Sequence, residues 1–188
     1  MILSPKNNLK KELKSYIIKG KNKKVRNEKM KLFYPDCIYD RIYDINVSQL
    51  KEKNIKAIVF DIDNTLAANG DEKPDDRTRS YLEMLRGEGF EIVIASNNNE
   101  YRVEKFCDGL DVLFVHKANK PLGKKTISLL KKINVKNKEA CIVGDQIFTD
   151  VLCGKLAGFH TILVTPFDDN ENKFIKFKRK IENIVLRK

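Results

Sequence analysis

From residue 56 onward the chain alternates short β-branched runs with longer stretches whose apolar positions recur at helical spacing. That alternation predicts βαβ units and a parallel sheet. The runs at 56–60, 91–95, 112–115, 140–143 and 161–164 read as strands. Between them, 75–87, 99–108, 121–133 and 147–157 read as helices, with Gly87, Gly89 and Gly158 as stop signals. The expected fold is α/β, a Rossmann-like parallel five-stranded sheet with helices on both faces. A closing helix over 171–186 gathers Phe174, Phe177, Ile181, Ile184 and Val185 on one face, which is expected to pack against the domain.

Residues 1–29 break this pattern. They are rich in Lys and Asn, with Leu9, Leu13, Tyr16 and Ile17 at helical spacing, and read as a basic N-terminal extension, helical or disordered, ahead of a domain at 30–188. Charge follows the same division. Of the net +11, residues 1–31 carry +9 and residues 173–188 carry +6, which leaves the middle section at −4. The basic ends point to an anionic partner, either a membrane surface or a nucleic acid. No apolar run exceeds four residues, whereas a membrane-spanning helix takes about 20 and the core of a signal peptide about 7 to 15. Cys37, Cys107, Cys141 and Cys153 form no C-x-x-C pair, and neither His116 nor His160 has a cysteine at ligand spacing. A reduced cytoplasmic protein without structural zinc is expected, with no transmembrane segment.

The chemistry gathers where the predicted strands end. In an open α/β sheet, ligands bind outside the carboxyl ends of the strands. After the first strand stand Asp61 and Asp63; after the second, "SNNN" with Ser96; after the third, "HKANKP" with Lys120; after the fourth, "GDQIFTD" with Asp145 and Asp150. Like charges as close as Asp61 and Asp63 raise each other's pKa unless a positive partner sits between them. Converging Asp61, Asp63 and Asp145 offer the hard oxygen ligands that Mg²⁺ prefers. A hydroxyl, backbone amides near a helix start and a lysine would cover the rest of a bound phosphoryl group.

This series, D-x-D-N-T, S-N, K-P and G-D-x-x-x-x-D, resembles the haloacid dehalogenase superfamily of phosphohydrolases. "FDIDNTL", "SNNNEYRV", "KPLGKK" and "VGDQIFTDVLCGKLAG" are similar to its YqeG-type group in subfamily IIIA, which includes mitochondrial phosphatidylglycerophosphate phosphatases. The similarity runs from about residue 33 to the C-terminal helix and does not cover 1–29. It implies Asp61 as nucleophile and Asp63 as acid and base. Asp61, the main-chain carbonyl of Asp63, and Asp145 would hold Mg²⁺, with Asp150 in support and paired with Lys120. Ser96, the amide of Asn97, and Lys120 would bind the phosphoryl group.

Asp61 to Ser96 spans 35 positions and Ser96 to Lys120 spans 24, too few for an inserted cap. The site is therefore expected to be open, suited to phosphatidylglycerophosphate at the inner membrane face, with the protein peripheral there. The alternative is a nucleic-acid- or ribosome-associated phosphatase, or a binding protein with little hydrolytic activity, though no RNA-binding motif is recognisable.

Overall fold

A computed structural model describes residues 31–167. The basic extension at 1–29 and the closing helix at 171–186 lie outside the described residues, as do the basic ends on which the nucleic-acid alternative rests.

Six strands form one sheet: β1 (Cys37–Tyr39), β2 (Ala57–Phe60), β3 (Glu91–Ala95), β4 (Leu113–Val115), β5 (Ala140–Gly144) and β6 (His160–Val164). Their spatial order is β1-β6-β5-β2-β3-β4, and every neighbouring pair is parallel. The helices are α1 (Val47–Glu52), α2 (Asp76–Gly87), α3 (Glu100–Cys107), α4 (Lys124–Lys132) and α5 (Leu152–Ala157), with a π-helical turn at Ile147–Val151 leading into α5.

Alternation along β2 explains the layers. Ile58 and Phe60 face one core with Leu50 of α1, Leu82 and Leu85 of α2, and Val103 and Phe106 of α3. Ala57 and Val59 face a second core with Leu130 of α4 and Cys153 of α5. Because successive side chains of a strand point to opposite faces, a run with no polar residue requires cover on both sides.

The sheet has six strands where the sequence pattern gives five. The extra strand, β1, is a three-residue edge whose central Ile38 is exposed, so it carries no apolar alternation to read. Its ladder to β6, the packing of Cys37 and Tyr39 and polar contacts attach it. The Asp36 carboxylate accepts from the Thr161 amide and hydroxyl, both at 2.8 Å, and from Lys155 Nζ at 2.5 Å. Two helix bounds also differ from expectation: α4 begins at Lys124, not 121, and 147–157 is a π-helical turn followed by α5. Cys107, Cys141 and Cys153 are buried, and all four cysteines are free.

From β2 the chain moves outward through β3 and β4, then returns to the other side of β2 for β5 and β6. The strand order therefore reverses between β2 and β5, where α/β sheets hold their ligands.

Candidate active site

Asp61 is the first residue beyond β2, and its amide extends the ladder by one bond, donating to Val143 O at 3.0 Å. The chain then turns sharply: the amides of Thr65, Leu66 and Ala67 all donate to Ile62 O. Buried Ile62 and Leu66 anchor this turn in the core, and Asn64 adopts φ 61, a conformation asparagine tolerates better than most residues. Asp61 is thereby buried, while Asp63 stays partly open at the rim.

Asp145 follows β5, the immediate neighbour of β2, so two acids 84 positions apart in the chain end adjacent strands. The π-helical turn brings Asp150 back over the end of β5. Its Oδ2 accepts from the Gln146 amide and the Thr149 hydroxyl, both at 3.2 Å. Gly144 makes this return possible, since a Cβ there would lie 2.3–2.4 Å from the Asp150 side chain. Oxygens of Asp61, Asp145 and Asp150 all lie within 4.8 Å of one another.

Lys120 reaches this cluster through a loop stitched to its neighbour. The amides of Lys117 and Ala118 donate to Asn98 O and Ser96 O, at 2.8 and 2.9 Å, and the Lys120 amide donates to Asn97 Oδ1 at 2.9 Å. Its ammonium then donates to Asp61 Oδ1 and Asp150 Oδ1, each at 2.6 Å.

Burial pushes the Asp61 carboxyl up to about 7; Lys120 opposes this, and the charges of Asp150 and Asp63 add to it. For Lys120, burial acts against the charged form, but Asp150 and Asp61 outweigh it and hold the ammonium above its ordinary range. Lys120 bridges two of these buried carboxylates, Asp61 and Asp150, and Asp145 lies within reach of both, a grouping of acids that a divalent cation would help to balance.

The donor set fits such an ion. An octahedral site with bonds of about 2.1 Å places its ligand oxygens roughly 3 to 4 Å apart, within the separation seen here. Asp150 is tied at both oxygens, to Lys120 and to the Gln146 amide and Thr149 hydroxyl, whereas Asp61 meets Lys120 through Oδ1, so Asp61 and Asp145 are the side chains best placed to ligate.

The remaining expected residues also sit at this edge. Ser96, directly after β3, is buried, and its Oγ accepts from the Asn98 amide at 3.2 Å; Asn97 is exposed beside it. Asp63 is held by two partners that the motif reading did not assign. Asn98 Nδ2 donates to its Oδ2 at 2.6 Å, and Arg102 Nη2 to its Oδ1 at 3.3 Å. The only advance signal for Arg102 is its place one turn into a helix that begins at "SNNNE", and Asn98 looks like loop.

Residues 21–167 match the family described as mitochondrial PGP phosphatase. The match starts ahead of residue 33, where the resemblance was expected to begin, and so overlaps the end of the 1–29 extension. The chain is 36% identical over 156 residues to "Probable phosphatase YqeG" of Bacillus subtilis, covering 83% of this chain and 91% of that protein. It is 31% identical over 151 residues to the chloroplastic/mitochondrial phosphatidylglycerophosphate phosphatase 1 of Arabidopsis thaliana, covering 74% of this chain and 43% of the plant protein. In fold it is similar to the cobalt-bound form of the deoxy-D-mannose-octulosonate 8-phosphate phosphatase from Haemophilus influenzae, with TM-score 0.51 and 16% identity over 73% of this chain and 90% of that one. The chain belongs to the mitochondrial PGP phosphatase family and is a phosphoric monoester hydrolase.

Proposed function

We propose that this phosphatase is Mg²⁺-dependent, works through an aspartyl-phosphate on Asp61, and acts on phosphatidylglycerophosphate presented at the cytoplasmic face of a membrane. The observation that carries the mechanism is the buried cluster of Asp61, Asp145 and Asp150, bridged by Lys120 at the reversal point of the sheet.

An Asp61 oxygen attacks phosphorus as the bond to the leaving oxygen breaks, and Asp63 gives that oxygen a proton. In the second step Asp63, now a carboxylate, takes a proton from water while the water oxygen attacks the phospho-enzyme. Inorganic phosphate leaves and the Asp61 carboxylate is restored. Ser96, the Asn97 amide and Lys120 donate to the phosphoryl oxygens as their charge redistributes. Asp150 keeps Lys120 in place. Asp61, the Asp63 carbonyl and Asp145 would hold Mg²⁺, which would offset the negative charge of the acids and of the phosphoryl group.

Three things support a lipid-borne substrate. The Arabidopsis relative is named for phosphatidylglycerophosphate. No cap interrupts the segments between Asp61 and Lys120. The rim beside Lys120 also carries Leu122, 52% exposed, with exposed Lys117, Lys124 and Lys125, and Tyr101 at 72% stands at the start of α3. Exposed Tyr and Leu among lysines suit an anionic interface. Among the described residues, no helix is long and apolar enough to cross a membrane, consistent with peripheral contact.

Phosphate release is measured with Mg²⁺ and with EDTA, on vesicles carrying phosphatidylglycerophosphate and on small sugar and nucleotide esters, for wild type and Asp61→Asn. Expected are metal-dependent release from vesicles, loss of turnover in Asp61→Asn, and a phosphorylated peptide containing Asp61 in quenched wild type. Much faster release from the small esters would overturn the lipid substrate; full activity in Asp61→Asn would overturn the mechanism.

A further inference from the structure

We propose that Asn98 and Arg102 form a two-donor clamp that positions Asp63 for proton transfer. The inference rests on the reading of Asp63 as acid and base given above. Each oxygen of the Asp63 carboxylate has its own donor: Asn98 Nδ2 at 2.6 Å on Oδ2, and Arg102 Nη2 at 3.3 Å on Oδ1. A carboxylate gripped at both oxygens is restrained from rotating about its terminal bond, so one edge stays directed at the substrate.

Both donors are themselves fixed. The Asn98 amide donates to Ser96 Oγ at 3.2 Å, and its carbonyl accepts from the Lys117 amide at 2.8 Å, so its main chain is pinned between the loops that follow β3 and β4. Arg102 lies in the first turn of α3, where its amide is capped by Asn99 Oδ1 at 3.0 Å. Its guanidinium sits 5.7 Å from the centroid of the Phe106 ring.

One detail separates this arrangement from an ordinary surface ion pair. Arg102 Nη1 is buried and has no hydrogen-bond partner. A long cationic side chain placed only for its own solvation would turn outward and satisfy every nitrogen. Here one donor is left unsatisfied while the other meets Asp63, and an unsatisfied buried group in a native fold calls for a functional or structural reason.

The clamp bears on rate. Hydrogen bonds from an amide or a guanidinium are stronger to a carboxylate than to a carboxylic acid. As the bond from phosphorus to the leaving oxygen breaks, Asp63 passes its proton to that oxygen and becomes a carboxylate, so both clamp bonds strengthen along the reaction coordinate. Interactions that grow toward the transition state accelerate the step. When Asp63 later takes a proton from the attacking water, the clamp has held that oxygen in place to receive it. Asn98 and Arg102 are thus positioning residues that touch the acid, not the phosphoryl group.

The test uses substituted phenyl phosphates, in which the leaving group's need for a proton varies while its shape is nearly constant. For the full chain with Mg²⁺, kcat/KM is measured on p-nitrophenyl phosphate and on phenyl phosphate for wild type, Arg102→Met, Asn98→Ala, Arg102→Lys and Asp63→Asn. The ratio of the two values on one preparation does not depend on the fraction of protein that is folded. In Arg102→Met and Asn98→Ala the ratio should rise in favour of p-nitrophenyl phosphate by about tenfold, part of the full contribution of a general acid. Asp63→Asn should raise it further, and Arg102→Lys should restore much of the wild-type ratio. If Asp63→Asn raises the ratio while Arg102→Met and Asn98→Ala stay within about twofold of wild type, the clamp only joins α3 to the first loop and the inference is wrong. If Asp63→Asn itself leaves the ratio unchanged, Asp63 is not the acid, and the proposed mechanism falls together with the clamp.

Discussion

Replacing Lys120 with Met removes the ammonium that lies between two buried carboxylates and keeps a side chain of similar length. The Lys120 side chain is 3% exposed and that of Asp150 1%. At a separation of 2.6 Å, each contact has a Coulomb attraction of roughly 6 kcal/mol at an effective dielectric near 20. The cost of dehydrating the three charges offsets most of that. What the substitution exposes is the remainder: two buried acids without their cation, a situation that costs about 3 to 5 kcal/mol. For a protein of this size, about 2 to 4 °C accompanies each kcal/mol, so the melting temperature should fall by about 6 to 20 °C. Lys51→Met is the control, because Lys51 and Glu88 are 48% and 45% exposed and such a pair contributes less than about 1 kcal/mol.

Thermal and urea denaturation of both variants in EDTA, then in Mg²⁺, would measure this. Mg²⁺ should recover part of the loss in Lys120→Met and leave Lys51→Met unaffected, since an added divalent charge replaces the missing one only at the acidic cluster. Turnover should stay about 10² to 10³ below wild type, because the proposed donor to the phosphoryl oxygens is gone. If Lys120→Met in EDTA is destabilised no more than Lys51→Met, the two acids do not depend on the ammonium and the charge accounting of the site is wrong.

Two further substitutions probe how the site and the sheet edge are held. Gly144→Ala places a Cβ 2.3–2.4 Å from Asp150, so Asp150 must move and draw Lys120 with it. A loss of about 1 to 3 kcal/mol in urea melts and at least about a tenfold drop in kcat are expected, and near-wild-type turnover would mean that Asp150 does not hold Lys120. At the β1 edge, burial acts to raise the Asp36 carboxyl, but Lys155 and the two Thr161 donors prevail and hold it below its ordinary value of 3.8. A carboxyl lowered by folding stabilises the fold above its unfolded pKa and loses that contribution as pH falls through the folded value. The protection factors of the Cys37–Tyr39 amides, taken relative to intrinsic exchange at each pH, should therefore fall below about pH 4 in wild type, and Asp36→Asn should remove that acid limb; an identical acid limb in the variant would refute the assignment.

How much of this was legible in the sequence depended on which forces wrote each part. Five strands could be read because each holds a run of three or more apolar residues, and in β2, buried on both faces, that run is unbroken. β1 could not, because polar contacts from Asp36 hold it and three residues with an exposed centre leave no periodicity. The acids after β2 and β5 were readable, since residue type and position after a strand are both local properties. The partners of Asp63 were not. Asn98 and Arg102 look like a loop residue and a helix residue until the turn at 62–67 and the start of α3 meet in space. Gly144 belongs to the same class: its need for no side chain is set by a carboxylate six positions on, brought back by a π-helical turn that the helical pattern of 147–157 does not distinguish.

The topology also explains why one ammonium and several acids make a site here and not elsewhere on the molecule. At the reversal point, the connections leaving β2 and β5 depart to opposite faces of the sheet, so neither α2 nor α5 closes over the gap between Asp61 and Asp145. The apolar strands beneath hold those carboxylates in a poorly screened setting, and burial raises Asp61 accordingly. Elsewhere, pairs such as Lys73–Asp108 and Lys51–Glu88 are exposed and screened, and they leave no charge unmet. The same burial would strengthen the proposed hold on a divalent ion, because charges attract more strongly where water screens them less. Under the proposed mechanism, a substitution that removes one of these carboxylates, such as Asp145→Asn, should weaken Mg²⁺ binding even where it makes the metal-free protein more stable.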